Sequence, residues 1–211
     1  KTIYNIPDER RSVFYTWCYW DNVFTDKEIK KICSYFDNQH IEKAQVFGDG
    51  EKNTNVDKDI RISNIKFCDF DLLDTDTNWI FERFNWVIEQ LNNRYYNFDL
   101  NGYNSFQYTE YDASEGGKYD FHMDTIMGAN IPRDMIEMRK LSVTMCVNEP
   151  GEEYEGGEFQ INTSSENKLE TIPTKKGRMI LFPSFMLHRV APVTKGKRKS
   201  VVVWVTGPKF I

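Results

Sequence analysis

Apolar positions change their period along this chain. Ile29, Ile32, Cys33 and Phe36 recur at helical spacing behind Thr25 and Asp26-Lys27-Glu28, which predicts a capped helix with one face toward a core. Trp79, Ile80, Phe84, Val87, Ile88 and Leu91 repeat the pattern within 74–95, with Asp74 or Asp76 as cap. Residues 14–20 (Phe-Tyr-Thr-Trp-Cys-Tyr-Trp) are strand formers, Ile60 to Cys68 alternates weakly as a strand, and residues 48–59 read as a polar, turn-rich loop. From residue 103 strands and turns take over. The expected strands are Ser105–Tyr111, Tyr119–Asp124, Lys140–Val147, Glu158–Asn162, a strand over 177–183 ended by Pro183, and a last one from Lys199 to Thr206. Leu141, Val143, Met145 and Val147 share one face; Ser142 and Thr144 share the other, where a polar pocket is one reading. Residues 125–138, with Gly128, Pro132 and three methionines, read as a loop or lid. Two helices followed by many short strands predict a mainly β (α+β) architecture, an antiparallel sandwich or barrel with helices packed on it. The expected organisation is a single domain over 1–211, with N-terminal helices and supporting strands in 1–102 and a core in 103–211.

Composition narrows the function classes. The 211 residues are 40% hydrophobic and 15% aromatic, enough for a large core, and the net charge of -5 disfavours a general nucleic-acid or membrane surface. No apolar run reaches the roughly 20 residues of a membrane span. Lys1-Thr2-Ile3-Tyr4-Asn5 lacks the apolar core of a signal peptide. Cys18, Cys33, Cys68 and Cys146 are far apart, form no CxxC pair, and read as free thiols of a reducing cytoplasm.

The chemistry gathers around two of the three histidines. His122 and Asp124 are two residues apart, a spacing that in a strand points both side chains to one face. With His188 they make two imidazoles and a carboxylate, a set that takes one face of an iron(II) ion and leaves other positions open. A lone histidine is more often a surface or hydrogen-bonded core residue, and zinc hydrolases use the same donor set. Arg198 bears on the choice. A guanidinium facing into a small barrel needs an anion, which it grips through two parallel hydrogen bonds, with Ser200 adding a third from the same strand face. Val202 and Trp204 continue that face. The bland alternative places Arg198 in an exposed basic cluster with Lys195, Lys197 and Lys199. Beside a metal triad, a carboxylate-bearing cosubstrate held between metal and arginine is the better account.

A set of segments then carries a resemblance. Tyr111 with Gly117-Lys118-Tyr119-Asp120-Phe121-His122-Met123-Asp124, Leu141-Ser142-Val143-Thr144 with Asn148-Glu149-Pro150, Tyr154-Glu155-Gly156-Gly157-Glu158, and Leu187-His188-Arg189-Val190 through Arg198 occur in family order. Over about residues 105–206 the chain resembles the Fe(II)- and 2-oxoglutarate-dependent dioxygenases of prolyl 4-hydroxylase-like, PKHD type, known from bacteria and phage. The resemblance implies a double-stranded β-helix (jelly roll), iron on His122, Asp124 and His188, and the far carboxylate of 2-oxoglutarate on Arg198. Ser200 and Tyr111 stand where relatives make further cosubstrate contacts, although the turn after Tyr111 is longer here than in typical prolyl hydroxylases. It also implies O2 as oxidant, ascorbate as accessory reductant, succinate and CO2 as products, a cytoplasmic setting, and a peptide or protein substrate with proline favoured. A free amino acid or nucleobase substrate, a zinc hydrolase and a non-catalytic metal-binding jelly roll are the alternatives. Gly156-Gly157 reads as a tight turn with close backbone approach.

Overall fold

The computed structural model describes residues 15–44, 46–47, 54–55, 57–68, 76–125, 138–163 and 168–209. The elements in order are β1 (Cys18–Trp20), α1 (Asp26–Asp37), β2 (Glu42–Lys43), β3 (Val46–Phe47), β4 (Thr54–Asn55), β5 (Arg61–Ile62), β6 (Asn64–Cys68) and α2 (Asn78–Leu91), which runs on into a π-helical turn, Asn92–Tyr96. There follow β7 (Gly102–Asp112), a 3-10 turn (Ala113–Glu115), β8 (Lys118–His122), β9 (Met138–Cys146), β10 (Tyr154–Gly156), β11 (Phe159–Asn162), β12 (Leu169–Thr171), β13 (Met179–Pro183), β14 (His188–Val190) and β15 (Val193–Gly207).

Two antiparallel sheets face each other. The major sheet runs β1-β13-β9-β15-β7-β6-β2, with β10 attached to β15; the minor one runs β12-β11-β14-β8-β5. The helices cover the outer face of the major sheet. There Ile29, Ile32 and Phe36 of α1 and Ile80, Phe81, Phe84, Val87, Ile88 and Leu91 of α2 bury against Phe106, Tyr108, Leu141, Val143, Met145, Val201, Val203 and Val205. Phe36 stacks on Tyr108 with ring centroids 4.8 Å apart, and Phe81 meets Phe106 edge-on at 4.6 Å. A second apolar cluster lies on the inner side and includes Tyr111, Tyr154, Phe159, Ile161, Phe182 and Val190. Strand alternation makes this division: odd positions 201, 203 and 205 of β15 pack on the helices, and even positions face inward. The fold is the double-stranded β-helix with N-terminal helices expected from the sequence.

Several local expectations need correction. Thr25 caps α1 with a full capping box, its Oγ1 accepting from the Glu28 amide while Glu28 accepts from the Thr25 amide at 2.7 Å. The cap of α2 is Thr77, however, in place of Asp76; Asp74 lies outside the described residues. The 60–68 segment is broken into two strands that join different sheets, β5 the minor and β6 the major one. The last strand starts at Val193, six positions earlier than its apolar pattern, because Lys195 and Gly196 pair with β10 while the strand runs on beside β7. The expected lid falls largely on residues 126–137 and the expected 48–59 loop largely on 48–53, both outside the described residues. All four cysteines are free thiols.

Candidate metal centre and anion site

β8 and β14 are neighbours in the minor sheet, and their register sets His122 directly opposite His188. The two imidazole centroids are 4.1 Å apart. Asp124 is not on the strand that predicted its direction: β8 ends at His122, and Asp124 sits in the following bend. Its position is fixed across the molecule, where the amides of Asp124 and Thr125 both donate to the Ser184 carbonyl at 2.9 and 3.0 Å. The result is the juxtaposition expected from the sequence, reached by a different local route. Asp124 Oδ1 lies 3.6 Å from His122 Nε2, and Oδ2 lies 3.5 Å from His188 Nε2. The donor atoms of the triad all fall within 4.8 Å of one another.

Hydrogen bonds on the far side of each ring decide what faces inward. His122 Nδ1 donates to the Asp120 carbonyl at 2.7 Å, and His188 Nδ1 donates to the Met186 carbonyl at 2.8 Å. A carbonyl only accepts, so each Nδ1 carries the proton and each Nε2 offers a lone pair to the space beside Asp124. Burial first, then the neighbouring His188, pull the His122 imidazole down to about 3, which keeps it neutral and ligand-ready. Burial alone would raise the Asp124 carboxyl; His188, His122 and the Ser142 hydroxyl outweigh it and hold the group below its ordinary value. Ser142 donates to Asp124 Oδ2 at 2.6 Å and its hydroxyl lies 2.9 Å from that of Ser184. Two imidazoles that turn Nε2 toward one oriented carboxylate fit a divalent ion of the iron or zinc kind.

Arg198 occupies the same cavity and is 1% exposed, so the exposed-cluster reading is set aside. Its Nη1 donates to Ser200 Oγ at 3.1 Å. Its Nε and Nη2 are buried without a hydrogen-bond partner. Those two N–H groups form one edge of the guanidinium fork, the geometry that takes a carboxylate with two parallel bonds. Tyr111 is the register partner of Arg198 on β7, and the guanidinium carbon lies 5.5 Å from its ring centroid. Gly157 makes room for the arginine. At φ +67 a Cβ there would sit 2.9 Å from Arg198 Cδ, so the close approach read from Gly156-Gly157 has a specific beneficiary.

The cavity joining these groups measures about 420 Å³ including its open mouth. Thr144, Val202 and Trp204 line it between and beside the two ends, as the alternation of β9 and β15 predicted. Sequence reasoning missed Arg61, Gln107 and the packing role of Tyr119. Gln107 faces inward from β7 and donates to Thr109 Oγ1 at 2.7 Å. Arg61 had no local signal, since it reaches the cavity only through the pairing of β5 with β8. Lys195 and Lys197, by contrast, pair with Glu155 and Asp112 outside the cavity.

Comparison with known proteins agrees with this geometry. The sequence profile of the 2OG-Fe(II) oxygenase superfamily matches residues 106–206. A PKHD-type hydroxylase of Hyphomonas neptunium is 38% identical over 94 residues, 44% of this chain and 39% of that protein. One from Janthinobacterium sp. is 41% identical over 93 residues, 43% of this chain and 39% of that protein. The chain thus spans well under half the length of these curated relatives. Among solved structures, a Pseudomonas putida prolyl-4-hydroxylase matches with TM-score 0.68 at 16% identity, over 90% of this chain and 92% of that one. A Trichoplax adhaerens prolyl hydroxylase, solved with a hypoxia inducible factor oxygen degradation domain peptide fragment, matches with TM-score 0.68 at 21% identity, over 90% of this chain and 83% of that one. At those identities the structures speak for the fold alone. Residues 106–206, which hold the metal triad and Arg198, thus match the 2OG-Fe(II) oxygenase superfamily and are similar to the PKHD-type hydroxylases.

Proposed function

We propose that this protein is an Fe(II)- and 2-oxoglutarate-dependent hydroxylase acting on a peptidyl or protein side chain, with proline as the favoured target and succinate and CO2 as products. The observation that carries the reading is the pair of unpartnered buried donors on Arg198, in one cavity with three inward-facing metal donors. A zinc hydrolase or a non-catalytic metal-binding module would use the three metal donors, but neither has a use for the orphan pair on Arg198.

In this reading His122, Asp124 and His188 hold iron, which supplies the oxidising chemistry when bound with O2 and 2-oxoglutarate. Arg198 takes the distal carboxylate of the cosubstrate on Nε and Nη2, with Ser200 fixing the third nitrogen. Tyr111 walls the cosubstrate beside Arg198. Ser142 orients the Asp124 carboxylate, and the Asp120 and Met186 carbonyls keep both imidazoles in the ligating tautomer. Phe159 and Phe182, buried around His188 with Phe182 4.7 Å from its ring, exclude water from that side. The peptide substrate is supported by the neighbour solved with a peptide fragment, and proline by the prolyl hydroxylases that share the fold. Free, largely buried cysteines fit a reducing cytoplasm, and no helix among the described residues is long and apolar enough to cross a membrane.

The test is an anaerobic titration of metal-free protein with Fe(II) and then 2-oxoglutarate, watching for the weak visible charge-transfer band of a chelated 2-oxo acid. The band should form in the wild type and vanish in His122→Ala and Arg198→Ala. Iron binding without a band would overturn the cosubstrate assignment, and absence of iron binding would overturn the metal centre. A proline-peptide screen scored by succinate release follows a positive result.

A further inference from the structure

Two guanidinium groups stand at the cavity that holds the metal triad, Arg61 lining it and Arg139 on its Trp204 wall, with no ion pair to a carboxylate among the described residues. Arg61, on β5, is 7% exposed, and its side-chain hydrogen bond is from Nε to Ser63 Oγ at 2.9 Å. Its guanidinium carbon lies 4.5 Å from the Tyr119 ring centroid. That ring in turn stacks on the His122 imidazole, with centroids 3.4 Å apart and 12° between planes. Arg61 is therefore one aromatic layer away from a metal ligand. Arg139, on β9, lies over the cavity-lining Trp204 ring at 4.1 Å, and its Nε donates to Asn104 Oδ1 at 3.0 Å.

Sequestered cations normally take an acidic partner, because loss of hydration is costly. Here the partners are neutral: a serine, an asparagine and two ring faces. The uncompensated charge is therefore felt by the metal site. Arg61 also comes from outside residues 106–206, the region matched by the family profile. Its place depends on the register that sets Arg61 opposite Tyr119.

We propose that Arg61 and Arg139 are electrostatic tuning residues that hold the bound iron in its ferrous state. The inference rests on the iron reading above and extends it to the metal's redox balance. Oxidation of Fe(II) to Fe(III) releases one electron to an acceptor and raises the charge of the site by one. Fixed positive charges nearby oppose that rise, and the packed aromatic rings between them and the metal screen far less than water does. The ferrous protein then resists oxidation between turnovers and draws less on ascorbate or another reductant.

The experiment uses the full chain loaded with Fe(II), titrated anaerobically with redox mediators and followed by the high-spin Fe(III) signal in electron paramagnetic resonance. Arg61→Gln and Arg139→Gln should each shift the Fe(III)/Fe(II) equilibrium toward Fe(III) by about tenfold, equivalent to about 59 mV for a one-electron couple. Arg61→Lys, which keeps the charge, should stay close to wild type. Both glutamine variants should bind Fe(II) at least as tightly as wild type, since a repulsive charge has been removed. Glutamine variants that titrate with the wild type would overturn the proposal, as would a lysine variant that falls with them or glutamine variants that lose iron. Because Arg139 is only half-buried, its variant tests the claim even where Arg61→Gln perturbs folding. A wild type that binds no iron would sink the metal reading itself, whereas a normal 2-oxoglutarate band with unchanged potentials would sink only this inference.

Discussion

The two ends of the cavity are built in opposite ways. At the metal end, each imidazole is fixed locally by the backbone carbonyl two residues before it, Asp120 for His122 and Met186 for His188. The outer polar atoms there are satisfied, and the inward nitrogens are what remains. At the anion end, Arg198 is fixed through the long pairing of β15 with β7, and it keeps two buried donors unmade. A buried orphan donor costs about 1–3 kcal/mol, more when charged, so that end is tolerable to the fold only if something fills it. The metal end is complete without its ligand in a way that the anion end is not. Loss of cosubstrate should therefore be felt mainly at Arg198.

That contrast can be broken at either end. The largest effect is expected for His188→Ala, which removes one of three ligands: iron binding should fall by more than the ~100-fold that changes behind a ligand cost, and hydroxylation should cease. Arg198→Ala should leave iron binding within a few-fold while weakening 2-oxoglutarate by about 3 kcal/mol, a factor of roughly 100, as read by calorimetry on the metal-loaded protein. Ser142→Ala frees one Asp124 oxygen and should lower metal affinity by roughly 10-fold with little change in 2-oxoglutarate affinity. Gly157→Ala should lower stability by about 1–3 kcal/mol and raise the 2-oxoglutarate KM, since its φ of +67 and the 2.9 Å approach to Arg198 Cδ both resist a side chain. The last effect concerns pH and is absent near neutrality. His122 stays neutral in the fold down to about 3 but protonates near 6.5 once unfolded. Between those values the unfolded chain binds the extra proton, so the metal-free protein loses stability as pH falls through that window. Thermal midpoints against pH should show the slope, and His122→Gln should flatten it.

Much of this arrangement was legible in the residues, and the exceptions share a cause. The helix faces and the β9 alternation announce themselves because their partners are the core itself. The capping box at Thr25 is equally local. The metal triad was legible from residue types, yet its spacing argument was off, because Asp124 owes its direction to Ser184 and Ser142 and not to a continued strand. The start of β15 was hidden because Lys195 and Gly196 look like a loop until β10 pairs with them, and Lys197 until β7 does. Arg61 was wholly silent. A basic residue in a weakly alternating stretch reads as solvent-facing, and only sheet register delivers it to the Tyr119–His122 stack. What the sequence hides is consistently what distant register decides.

One cosubstrate molecule should span both ends of the cavity. The decisive measurement is 2-oxoglutarate binding under argon to metal-free protein and to protein loaded with redox-inert Mn(II). Linkage requires metal and cosubstrate to tighten one another equally. A bridging cosubstrate should gain at least tenfold in affinity on metal loading of the wild type, with a much smaller gain for glutarate, which lacks the keto oxygen. Equal affinities with and without metal would contradict it, because the arginine and the triad would then be serving separate ligands.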